Sequence, residues 1–186
     1  MYYQKDLTVK TAITIKHITI SEAVGVYSLQ FSNKEETEFV DFMSKYKDIS
    51  NPVLKEDFNR IMAILKKIIE KGALERLFRT GEGKVKDGVV AVPLDIVRRK
   101  KGCGTLRLYC LRISDEILIL GNGGVKYGNS YNDNKELNTY VSNLAELDRI
   151  IKKFIRQRKI KIAGKTVILQ DNLNIKTYYY EGRQIV

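Results

Sequence analysis

GTLRLYCLRISDEILILGNGGVKY, residues 104–127, is the stretch on which the fold turns. Its first half alternates: Leu106, Leu108, Cys110, Leu111 and Ile113 bracket Arg107, Tyr109 and Arg112. A polar break at Ser114 and Asp115 follows, and then the apolar run Ile117, Leu118, Ile119, Leu120. Alternation with period two, a short polar break and a second β-prone run describe an antiparallel hairpin. One face of such a hairpin enters a core, so the other is expected to form an exposed basic platform carrying Arg107 and Tyr109. Gly121, Asn122, Gly123 and Gly124 are expected to allow a sharp turn, with Lys126, Tyr127 and Tyr131 on the loop beyond it.

With 186 residues, the chain is long enough for a single domain with a substantial core. Lys and Arg number 33 against 22 Asp and Glu, a net charge of +11. A mixed-sign surface keeps a protein soluble at a smaller imbalance, so the excess points to a polyanionic partner, either nucleic acid or an acidic protein segment. Cys103 and Cys110 fit neither a zinc signature nor a disulfide framework, which is simplest in a reducing compartment. Residues 1–20, MYYQKDLTVKTAITIKHITI, never form the continuous apolar core of a signal peptide or a spanning segment. A soluble cytoplasmic protein with no membrane partner is expected.

Around the hairpin, residues 11–20 are strongly β-prone, with a phase slip at Lys16 and His17 that predicts a bulge. A second strand is expected over 24–31. Ser32 with Glu35 forms a capping-box pattern that opens a helix running to about Tyr46. Asn51 and Pro52 read as the start of another, ending at Gly72. Gly81, Glu82, Gly83 and Lys84 lack the spacing of a phosphate loop and predict a mobile loop or short hairpin. Residues 89–94 read as a strand that Pro93 pushes to an edge or an end. Asp133 with Glu136 opens an amphipathic helix over about 135–157, whose basic end carries Arg149, Lys152, Lys153, Arg156 and Arg158. A hairpin across Ala163 and Gly164 and a strand over 174–180 complete the chain.

His17 is the only histidine, and no Cys–His pair or clustered His/Asp/Glu set accompanies it, so neither a metal centre nor a cofactor is expected. Arginine, lysine and tyrosine are abundant instead. Arg98, Arg99, Lys100, Lys101, Arg107 and Arg112 occur over fifteen positions without one acid, as an exposed basic loop feeding a basic strand would for RNA contact. These groups suffice for one reaction class. RNA supplies its own nucleophile in the 2′-OH, and an enzyme need only orient it, neutralise charge on the phosphate and manage two proton transfers.

A strand of the form LR-x-x-x-x-R at 106–112, a turn, an apolar strand ending in glycines and a basic pair, and then an amphipathic helix resemble the RelE/HigB-like toxins of bacterial type II toxin–antitoxin pairs. The likeness covers residues 23–157. It implies an α+β fold of the RelE/ParE kind, a small twisted antiparallel sheet packed on helices, here one 1–186 domain with β extensions at 1–22 and 158–186. It further implies a ribosome-dependent, metal-independent mRNA endonuclease, or mRNA interferase, restrained by a cognate antitoxin that is acidic or carries a helix-turn-helix. By position, Arg107 corresponds to that family's central-strand arginine and Lys126 with Tyr127 to its basic pair; Tyr109 joins them in the catalytic set. Arg98, Arg99, Lys100 and Lys101 match the basic loop before it, and Arg112 and Tyr131 are expected to contact RNA. A non-catalytic nucleic-acid or protein binding module of the same fold is the alternative, and a gyrase-poisoning relative a third.

Overall fold

A run such as Ile117, Leu118, Ile119, Leu120 has no polar face to give to water, and the protein covers it from both sides. The computed structural model describes residues 9–78, 88–92, 103–127, 134–169 and 175–179. Their order is β1 (Val9–Ile20), β2 (Gly25–Phe31), α1 (Glu38–Tyr46), α2 (Pro52–Lys71), β3 (Val89–Ala91), β4 (Thr105–Ser114), β5 (Ile117–Lys126), α3 (Lys135–Arg156), β6 (Ile160–Ala163), β7 (Thr166–Leu169) and β8 (Ile175–Tyr179). The fold is α+β. Six strands form one sheet in the order β3-β4-β5-β2-β1-β8, and β6 with β7 forms a separate hairpin.

The sheet is mixed rather than antiparallel as expected: β2 runs parallel to β5, Gly25 opposite Ile117 through Ser28 opposite Leu120. Helices lie on both of its faces. Leu106, Leu108, Cys110, Leu118 and Leu120 share a core with Phe42 of α1 and Phe58, Ile61, Leu65 and Ile68 of α2. Tyr109, Leu111, Ile117 and Ile119 share the other with Leu137, Val141, Leu144, Leu147 and Ile151 of α3. Leu118 and Ile119 therefore go to opposite cores, and burying each stabilises the fold by roughly 2 kcal/mol.

Helix starts follow local chemistry. Asn51 Oδ1 accepts from the N–H groups of Val53 at 3.0 Å and Leu54 at 3.2 Å, and α2 stops at Gly72, whose φ is +93°. α1 begins later than expected, capped by Thr37, because the Ser32 hydroxyl instead accepts from Ala12 N–H and ties the end of β2 to β1. α3 is capped by Asn134, whose Oδ1 accepts from Glu136 N–H at 2.9 Å and Leu137 N–H at 3.2 Å. Asp133, the expected cap, lies outside the described residues, as do Pro93 and the segment 81–84.

Gly121, Asn122, Gly123 and Gly124 do not turn the chain but continue β5. The glycines serve close approach instead of a bend. A Cβ on Gly123 would lie 1.9 Å from the Arg107 carbonyl oxygen, and one on Gly121 would lie 2.8 Å from Leu144 Cδ1 of α3. The expected bulge in β1 is present, between His17 and Thr19. The two segments read as extensions complete the sheet: β8 pairs antiparallel with β1, Val9 opposite Tyr179. The β6–β7 hairpin is tied to β2 by Tyr27, whose hydroxyl donates to Lys165 O at 3.0 Å and accepts from Val167 N–H at 3.1 Å. No helix among the described residues is long and apolar enough to cross a membrane.

Candidate nucleic-acid interface

Two-sided burial decides what the hairpin can present. Arg107 is 4% exposed and Tyr109 1%, so the expected basic platform is absent. The outer face of β4 is the floor of the core under α3, and Tyr109 packs there among α3 side chains. Lys126 and Tyr127 sit at the open end of the hairpin, where Lys126 lies opposite Thr105. Lys126 is half-buried and Tyr127 is 69% exposed. A cleft of about 190 Å³ opens beside Tyr127, lined by Asn51, Leu54, Cys103, Gly104 and Val125.

Arg112 is about 17 Å along β4 from Arg107 by strand rise, and faces the chain after α2. Its Nε donates to Ala73 O at 2.6 Å and its Nη2 to Asp115, so this arginine fixes the β4–β5 turn to the end of α2. Arg107, Lys126 and Tyr127 therefore belong to one end of the hairpin and Arg112 to the other. Arg98, Arg99, Lys100, Lys101 and Tyr131 lie outside the described residues.

Where β5 runs past its pairing with β2, α1 and α3 reach toward each other across it through polar side chains. Asn122 Nδ2 donates to Glu38 Oε2 at 3.1 Å and to Asp41 Oδ2 at 2.7 Å. Lys34 pairs with Glu38 at 2.5 Å, and Lys45 with Asp41 at 2.9 Å and with Glu136 at 3.6 Å. Tyr140 donates to Glu136 Oε1 at 2.6 Å and accepts from Lys45 Nζ at 3.1 Å. Burial raises the Asp41 carboxyl pKa, but hydrogen bonds from Lys45 and Asn122 outweigh it and hold the group below its usual value. Burial, helped by Glu136, pushes Tyr46 up to about 12, and burial with the Glu136 hydrogen bond pushes Tyr140 up as well. Both phenols thus stay protonated at neutral pH, and Tyr140 commits its proton to the hydrogen bond with Glu136. The sequence hides this network because Asn122, flanked by glycines, has the pattern of a turn residue. One polar residue on the inward side of an apolar strand was the available signal.

Several acids are spent inside the fold. Glu38 is 3% exposed, Asp57 0% and Asp148 3%, and Asp57 Oδ2 accepts from Leu106 N–H at 3.0 Å. Glu38 and Asp148 pair there with Lys34 and Lys152, and a cation, Arg107, is buried along with these acids. Burial pushes the Cys110 thiol pKa far up, so it is no nucleophile at neutral pH. Among the described residues no group of three or more His, Cys, Asp or Glu is placed to hold a metal ion. No family model, no curated protein and no solved structure matches the chain.

Proposed function

We propose that this chain is an RNA-binding protein of the RelE/HigB-like toxin kind, which engages mRNA at the ribosome and is restrained by an acidic or helix-turn-helix antitoxin. The observation that carries the reading is the open end of the β4–β5 hairpin, where exposed Tyr127 follows half-buried Lys126. A tyrosine ring stacks on an unpaired base and a lysine beside it meets the phosphate, whatever the sequence. The net charge of +11 supports the same reading, since it favours polyanions.

Binding without cleavage is favoured over the endonuclease. In-line attack by a 2′-OH needs a cation forked over the phosphate oxygens, and Arg107, which the resemblance assigns to that task, is 4% exposed. The test is expression of the chain in growing cells, with ribosome co-sedimentation and mRNA integrity as readouts. Ribosome association with intact mRNA, weakened in Lys126→Ala and Tyr127→Ala, is expected. Cleavage of mRNA that stops in Arg107→Ala would establish the enzyme instead, and absence of any ribosome or RNA association would end the RNA reading.

A further inference from the structure

We propose that the outer face of the C-terminal half of α3, with the turn after it and β6, is a docking surface for the phosphate backbone of double-stranded RNA. It rests on the RNA-binding reading above and adds a second surface to it. The two lie at opposite ends of the sheet: Asn134 at the start of α3 donates to Val125 O at 3.2 Å, whereas Asp148 accepts from Gly88 N–H beside Arg112.

Residues 149–165 hold eight Lys and Arg and no Asp or Glu. Arg149, Lys152, Lys153 and Arg156 recur at i, i+3, i+4 and i+7, which makes one exposed stripe on the side away from buried Leu144, Leu147 and Ile151. Arg149 is paired with Glu146 and Lys152 with Asp148. Among the described residues, Lys153, Arg156, Arg158, Lys159 and Lys161 make no ion pair. The negative end of the helix accounts for cations in its last turn but not for those beyond it, at 158, 159 and 161.

Arg158 adds an independent sign. Its φ is +59°, the left-handed region. There it closes α3 by donating its N–H to Ile155 O at 3.0 Å, while Lys159 N–H reaches back to Phe154 O at 2.9 Å. This is the closing turn in which glycine is usual, because a Cβ is strained there. Glycine would make the same turn at lower conformational cost, so the arginine side chain answers to something outside the fold.

The occupant follows from what the surface lacks. Phe154, the one aromatic residue of 149–169, is half-buried with Lys159 5.6 Å over its ring, so no free ring is offered for stacking a base. A single strand would leave its bases without partners here, whereas a duplex turns only phosphates and sugars outward. A protein partner calls for an apolar centre, and beside this face only Ile155 of α3, 37% exposed, and Ile168, 47% exposed opposite Lys161, are exposed large apolar residues among the described ones, too few for such a centre. From Arg149 to Arg156 the stripe is about 10 Å long, enough to meet several phosphates of a duplex.

The experiment is fluorescence anisotropy of the full chain with an RNA duplex of roughly 16 base pairs, the DNA duplex of the same sequence and an unpaired RNA, across a salt series. Lys153→Glu with Arg156→Glu should weaken duplex RNA binding at least tenfold and flatten its salt dependence. Lys67→Glu on α2 should leave it unchanged. Arg158→Gly should weaken it severalfold while the melting temperature holds or rises, a combination that no loss of folding produces. Wild-type affinity in the double variant overturns the proposal, as does equal affinity for the DNA duplex or preference for polyglutamate over RNA. Duplex binding without any binding of unpaired RNA supports this surface and removes the hairpin-end reading alone.

Discussion

The two ends of α3 treat charge in opposite ways. At its start, Glu136 and Tyr140 are joined to Lys45 of α1, and through Asp41 and Asn122 to buried Glu38. Lys34 and Lys45 there each have an acid beside them. At its end, Lys153 and Arg156 face outward, and the seventeen residues from 149 to 165 contain no acid at all. The first arrangement holds helices across a strand. At the second, the negative end of the helix offsets Lys153 and Arg156 but not the cations beyond it at 158, 159 and 161. Net charge therefore says little about binding until the charges already neutralised inside are set apart.

Asn122→Ala should break the inner end most severely. It leaves the Glu38 and Asp41 carboxylates facing each other without their shared donor, and urea denaturation should show a loss of about 3 kcal/mol. Tyr127→Ala should leave stability within about 0.5 kcal/mol and cost about 2 kcal/mol of affinity for unpaired RNA, the value of one stacked base. Arg158→Gly at the outer end should raise stability by about 1 kcal/mol in the same denaturation assay, because the left-handed turn loses its strain. The smallest effect is the pH dependence of Asp41. Its folded pKa lies below its ordinary value of 3.8, so its contribution is present above that value and fades as pH falls through the folded one. The stability difference between wild type and Asp41→Asn should accordingly shrink in strongly acidic buffer.

Much of the fold was readable in the residues. Asn51 and Gly72 bound α2 as their chemistry requires, and the phase slip at Lys16 and His17 is a bulge in β1. The site was less readable, for one physical reason. Alternation along 106–112 predicts one buried face, yet a strand under helices on both sides is dry on both, and an arginine and a tyrosine can be among its covered residues. Continuous apolar character in 117–120 was the clue to the second layer. The glycines after it were ambiguous, since the lack of a side chain serves a bend and a close approach equally, and only the position of α3 separates the two. Parallel pairing of β2 with β5 depends on which strands meet across long sequence intervals, which local pattern does not encode.

The pairing of β1 with β8 has a consequence for synthesis. Val9 meets Tyr179, a partner made 170 residues later, so the sheet keeps an open seam along β1 until that late strand arrives. Contacts so distant in sequence are slow to form, and an unpaired strand edge is a template for other chains in the meantime. Shortening the chain before Ile175 would make that transient hazard permanent, and insoluble aggregates rather than a smaller folded protein are what such a cut should yield.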